Sequence, residues 1–179
     1  MYGIIALFDE QTEQMITDIW KELKEKSISY YAYEVENRRP HITLASYNKI
    51  YKNEYMKLMD EFYNDKQAID ITFNAIGSFL NSGTLFFSPT VTEELFEFHA
   101  NHHRNFQQFN DDPNSFYLPN SWIPHCTIAN RLSSEKLLEA FDCCSKRNDI
   151  IYGKIKEVAI IKVSSSNYAP IIYSKELTK

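Results

Sequence analysis

The chain has 179 residues, 44% of them hydrophobic and 24% charged, with a formal net charge of −5. That length suits one domain with a sizeable core, and the acidic balance excludes an extended footprint on duplex DNA. No apolar run approaches the ~20 residues a membrane helix needs, so neither a membrane nor a duplex is expected as a partner.

Tyr2 to Phe8 is β-rich and reads as a first strand, not a signal peptide, because no basic segment precedes it. From Glu10 to about Lys26, Met15, Ile16, Ile19, Trp20 and Leu23 recur at helical spacing, with acids early and lysines late. Ile28 to Val35 is aromatic and β-branched and predicts a short strand. Asn37-Arg38-Arg39-Pro40 then leads into a strand from His41 to Tyr47. Tyr51 to Tyr63 predicts a second amphipathic helix, with Tyr55, Leu58, Met59 and Phe62 on one side. Ala68 to Leu80 and Thr84 to Ser88 predict a hairpin turning at Asn81-Ser82-Gly83.

A third helix is expected from about Thr90–Thr92 to Phe109. Residues 110–121 are polar, carry Pro113 and Pro119, and form either a lid or a plain surface connection. Trp122 to Arg131 predicts another strand, and Ser133 caps a fourth helix with Leu137, Leu138, Phe141 and Cys144 inward. Ile150 to Val163 and Ala169 to Leu177 close the chain as strands. Cys126, Cys143 and Cys144 make an odd set with two adjacent members, which reads as reduced thiols in a cytoplasmic protein.

One pattern stands out of this series. Pro40-His41-Ile42-Thr43-Leu44-Ala45 returns as Pro124-His125-Cys126-Thr127-Ile128-Ala129, with the histidines 84 residues apart. A lone His-x-Thr on a half-exposed strand means little; the matched pair at half-chain spacing predicts two similar lobes that share a site. Side chains alternate along a strand, so His and Thr two positions apart point the same way, roughly 7 Å apart. Ile42, Leu44, Cys126 and Ile128 fall on the opposite, core-like face. Strict alternation adds Tyr47 and Arg131 to the cleft face. A bulge would exchange Arg131 for Asn130.

Two imidazoles flanking a space lined by two hydroxyls suit displacement at phosphorus. A neutral His takes the nucleophile's proton and a protonated His supplies the leaving oxygen. The hydroxyls bond the non-bridging oxygens, where charge gathers. Neither step calls for a metal or cofactor. His99, His102 and His103 form the rival cluster, with His99 and His103 at i,i+4, but no acid or cysteine is spaced to complete a zinc set. His102 falls within an apolar stripe and is expected to be buried and neutral. Arg39 before Pro40, and Tyr47, Phe116, Tyr117 and Trp122 as stacking rings, are further candidate substrate contacts.

The paired His-x-Thr strands resemble the 2H phosphoesterase superfamily, which includes RNA 2′,3′-cyclic phosphodiesterase/2′-5′ RNA ligase proteins and plant cyclic nucleotide phosphodiesterases. The resemblance takes in the opening strand and helix, both motifs, the Ile76-Gly77-Ser78-Phe79 and Thr84-Leu85-Phe86-Phe87 hairpin and the closing strands. It implies a single α+β domain over 1–179, bilobal, with two pseudo-symmetric lobes of antiparallel sheet, helices outside and a central cleft. It also implies His41 and His125 as acid–base pair, in an order left open, and Thr43 and Thr127 as phosphate binders. Many relatives read His-x-Thr-aliphatic-Ala-Arg, where this chain has Asn130 and then Arg131. The expected activity is hydrolysis of a cyclic phosphate or ribose-linked phosphodiester by a monomer acting on a small nucleotide or RNA end. The alternatives are a nucleotide-binding module with little turnover and a 2′-5′ RNA ligase.

Overall fold

The computed structural model describes residues 1–147 and 149–178. In chain order its elements are β1 (Tyr2–Phe8), α1 (Glu10–Glu25), β2 (His41–Tyr47), α2 (Lys52–Tyr63), β3 (Ile69–Ser78), β4 (Leu85–Pro89), α3 (Glu93–Asn105), β5 (Cys126–Ala129), α4 (Ser134–Ser145), β6 (Ile151–Lys162) and β7 (Ile171–Glu176). The strands form one antiparallel sheet in the order β2-β1-β6-β3-β4-β5, and β7 also pairs with β6. Exchanging β1, β2 and β3 with β4, β5 and β6 reverses this order onto itself. The chain is therefore two copies of one strand–helix–strand–helix–strand unit, related by a pseudo-twofold between β6 and β3. The sheet curls until its two edges, β2 and β5, approach one another.

All four helices pack on one face, where a single cluster runs from Ile4 and Phe8 through Ile42, Leu44 and Phe73 to Cys126, Ile128 and Ile160. The opposite face carries only a small group, Ile5, Leu7 and Ala159 with Ile161. Helix starts follow local chemistry. Asp9 accepts the Thr12 N–H (3.0 Å), Thr92 that of Leu95 (3.2 Å) and Ser133 that of Lys136 (3.2 Å). Gly83 sits at φ 61°, and a Cβ there would lie 2.3 Å from the Leu132 carbonyl, so the hairpin tip accepts only glycine.

Three expectations change. Ile28–Val35 is no strand: Tyr31–Tyr33 forms a 3-10 turn, and Tyr31 packs edge-on against Trp20 in the core (6.0 Å, 74°). Without a neighbouring strand to pair with, this aromatic run satisfies its backbone locally. On α4, Leu138 and Phe141 are 71% and 47% exposed, because the buried stripe runs through Ala140 and Cys144. The second motif strand is short, and His125 precedes it as irregular chain. No helix among the described residues is long and apolar enough to cross a membrane.

Candidate active site

Each histidine is set by the same local device. His41 Nδ1 lies 2.7 Å from the Arg39 carbonyl and His125 Nδ1 lies 2.8 Å from the Ile123 carbonyl, in both cases two residues back. A carbonyl only accepts, so in each neutral ring Nδ1 carries the proton and Nε2 is the bare, basic nitrogen. Neither Nε2 has a partner among the described residues. The rings are close enough for the charge of His125 to count against that of His41.

The strands share a second device. Ile4 opposes Ala45 and Ile5 opposes Thr43, which leaves Leu44 as an extra residue in β2. Leu85 opposes Ala129 and Phe86 opposes Thr127, which leaves Ile128 as the extra residue in β5. The same bulge thus falls three residues after each histidine. It reverses the alternation, turning Ala45 and Ala129 into the core and Ser46 and Asn130 toward the side of the threonines. Directly opposed residues of an antiparallel pair share a face, so Ile5, Leu7 and Phe86 lie on the face of Thr43, His41 and Thr127.

The two edges are closed by donors from elsewhere in the fold. Trp122 Nε1–H donates to the Thr43 carbonyl (2.9 Å), and Trp20 Nε1–H donates to the Thr127 carbonyl (3.3 Å). Each indole fills an edge acceptor that would otherwise be unpaired. The threonine hydroxyls are matched as well. The Tyr117 phenol is a neighbour of Thr43, and the Tyr31 phenol is a neighbour of Thr127. Cys126 Sγ lies against the backbone N–H of His41, and burial pushes its thiol up to about 12, so it is packing and no nucleophile.

The two surroundings differ. Burial pushes His41 down to about 4, against the Arg39 carbonyl that favours its protonated form, and the Arg38 charge lowers it further. His125 is lowered by burial and meets Phe79 edge-on (4.8 Å, 85°) and Phe86 (5.3 Å, 56°). Gly77 makes room for that arrangement: a Cβ there would lie 2.8 Å from the Phe86 ring. A cleft of about 650 Å³ opens beside His41, bounded by Arg38, Ile5, Ile161 and the 163–171 segment with Tyr168.

The secondary candidates are placed elsewhere. Tyr47 does not face the cleft. The bulge at Leu44 turns it into the core, 2% exposed, with its hydroxyl 3.4 Å from His102 Nε2. Arg39 is committed to Glu13 (2.7 Å) and Glu157 (2.8 Å). Arg131 leaves β5 in the left-handed region (φ 57°) and pairs with Glu34, its charge neutralised at the surface. Trp122 stacks face-to-face on His99 (3.8 Å, 1°) and is a buttress of β2. Phe116 is 83% exposed. Asn130 Oδ1 accepts from Thr84 Oγ1 (2.8 Å) and the Arg131 N–H (2.8 Å).

The helix-three histidines have structural partners. His103 Nε2–H donates to the Leu44 carbonyl at the bulge (3.0 Å), and His99 Nε2–H donates to the Tyr117 carbonyl (2.8 Å). His102, fully buried, has Nδ1 2.8 Å from the Tyr63 hydroxyl, and burial holds it neutral. No three His, Cys, Asp or Glu side chains converge on a metal position among the described residues. Sequence reading passed over Tyr31 and the Phe79–Phe86 pair, offered Tyr117 only as a stacking ring, and set Arg38 beside Arg39 without separating the two. The spacing held one clue: Arg38 stands three residues before its histidine, as Trp122 does before its own.

Comparison with known proteins bears on the family and the fold. The model of the 2′-5′ RNA ligase superfamily matches residues 9–167. The chain belongs to that family. No curated sequence matches it at a significant level. Among solved structures, Escherichia coli LigT complexed with 3′-AMP superposes with a TM-score of 0.64 at 12% identity, covering 99% of this chain and 98% of LigT. TT0787 of Thermus thermophilus superposes with a TM-score of 0.60 at 12% identity, covering 98% of this chain and 97% of that one. LigT has also been solved with NADP+ and with ATP, at TM-scores of 0.59 and 0.55 and 11% identity. At such identities these likenesses establish the shared fold over nearly the full length.

Proposed function

We propose that the protein is a phosphoesterase that opens a cyclic phosphate or a ribose-linked phosphodiester on a nucleotide or RNA end, using His41 and His125 as its acid–base pair. The observation that carries this is the matched pinning of the two Nδ1 atoms to backbone carbonyls, which leaves each Nε2 as the basic nitrogen of its ring. With phosphate bound between the rings, its negative charge favours protonation of an imidazole. The neutral ring then takes a proton from water as its oxygen attacks phosphorus. The protonated ring gives its proton to the departing ribose oxygen, and proton and charge balance without a metal. Thr43 and Thr127 donate hydroxyl hydrogens to the non-bridging oxygens, oriented by Tyr117 and Tyr31.

A 2′-5′ ligation would use the same two groups in the same roles, with a ribose 5′-hydroxyl replacing water as nucleophile on the cyclic phosphate and the 3′-oxygen departing. A nucleotide ligand accords with LigT having been solved with 3′-AMP, NADP+ and ATP. Three free thiols suit the reducing cytoplasm. The test is turnover of 2′,3′-cyclic nucleotides by wild-type protein, with and without chelator, beside His41→Ala and His125→Ala. Chelator-resistant turnover that disappears in both variants is expected; equal turnover in all three proteins would overturn the reading.

A further inference from the structure

Three arginines lie beside the two motifs, and two of them are spent. Arg39 is held by Glu13 and Glu157, and Arg131 by Glu34. Arg38 is different. Among the described residues no carboxylate lies within ion-pair distance of it, and its buried Nε has no hydrogen-bond acceptor. Its guanidinium carbon lies over the Tyr31 ring, 3.9 Å from the centroid. It lines the same cleft as His41.

We propose that Arg38 is the cationic substrate contact of this site, donating its Nε–H to a non-bridging oxygen of the phosphate held between His41 and His125. A desolvated donor without an acceptor is costly in an empty site, and a planar anion-facing edge is what a phosphate oxygen requires. Tyr31 supports the guanidinium from below, and the phenol of the same residue neighbours Thr127. Arg38, Tyr31 and Thr127 thus form one connected support that carries a charge from the first lobe to the phosphate-binding hydroxyl of the second. Asn130 and the neutralised Arg131 leave no competing cation at the second motif. A stacked, edge-on donor is specific to arginine, because an ammonium group neither stacks as a plane nor presents two parallel N–H bonds.

The proposal rests on the phosphoesterase reading, and its test separates the two. Arg38→Gln and Arg38→Lys are compared with wild type, His41→Ala and His125→Ala for kcat/KM on 2′,3′-cyclic nucleotides. The same proteins are titrated with inorganic phosphate by calorimetry. In wild-type protein, the assigned Arg38 Nε–H resonance is followed during the phosphate titration. Arg38→Gln is expected to lose about 10²-fold in kcat/KM and to bind phosphate more weakly, with Arg38→Lys recovering only a small part. The wild-type Nε–H signal is expected to move and saturate with the histidine ring signals. Inactive histidine variants beside an Arg38→Gln protein of unchanged kcat/KM and phosphate affinity would overturn the assignment and leave the function standing. Active histidine variants would overturn the function. A still Nε–H signal while the histidine rings respond would overturn the Arg38 contact, whether or not the variants fold.

Discussion

His41 and His125 each give Nδ1–H to the carbonyl two residues earlier, and each is followed by a threonine and a one-residue bulge. Yet the ring at 41 lies beside a guanidinium, and the ring at 125 lies between two phenyl groups. The ring pinning and the threonine come from a short stretch of chain and are duplicated with it, and each bulge is set by the equivalent neighbouring strand. The surroundings come from Arg38 on one side and the β3–β4 hairpin on the other, which have no counterpart in each other's lobe. Orientation is therefore symmetric while proton affinity and access are not. That is a workable basis for two identical side chains taking opposite protonation states in one reaction.

Removing either ring should break the symmetry outright. His41→Ala and His125→Ala are each expected to lower kcat/KM by about 10²–10⁴-fold. If the rings act as a unit, the double variant should lose little beyond the worse single. Single variants that each keep about half the activity, with the double losing the rest, would mean two independent sites, one per lobe. Steady-state kinetics on a 2′,3′-cyclic nucleotide decides between them.

The pH profile sharpens the same comparison. The proposed mechanism needs one imidazolium, and burial pushes both rings below the ordinary 6.5 in the free protein, His41 to about 4. Raising the pH above 6.5 therefore removes the needed proton, and kcat/KM should fall about tenfold per pH unit there. Below the two values both rings are charged, the base is lost, and the rate falls again. The maximum is expected on the acid side of neutrality; a maximum above about pH 7.5 would contradict the burial described here.

Smaller changes separate the two surroundings. Gly77→Ala pushes the Phe86 ring, which touches only the second histidine, and should lower kcat/KM about 10-fold. Rotation of the His125 ring, read as an altered Cε1 signal with that of His41 unmoved, would confirm that the effect is one-sided. Smallest are the two indoles. Trp20→Phe and Trp122→Phe each remove one donor to a threonine carbonyl and should cost about 1 kcal/mol in urea unfolding. Trp122→Phe should cost the more of the two, because it also loses part of the face packed on His99.

The order of elements apart from the expected strand at Ile28–Val35, the helix cap at Ser133 and the hairpin at Gly83 were legible in the chain, because each depends on neighbours within a few residues. So was the pairing of the two His-x-Thr segments, through their repeated words. Alternation failed at one point in each strand. The bulges at Leu44 and Ile128 depend on which strand lies opposite and on an acceptor such as the one His103 fills, and no local pattern records that. That single shift moved Tyr47 from cleft to core and set Asn130 in place of Arg131. The choice among arginines was likewise tertiary. Arg38 and Arg39 are adjacent and chemically identical, and only the positions of Glu13, Glu157 and Tyr31 in the fold distinguish a paired charge from one turned to the site. The sequence by itself determined which side chains are candidates for the chemistry, since type and periodicity are written in the chain. Which of them meet, and with what proton affinity and charge beside them, was decided by long-range packing of one lobe against the other.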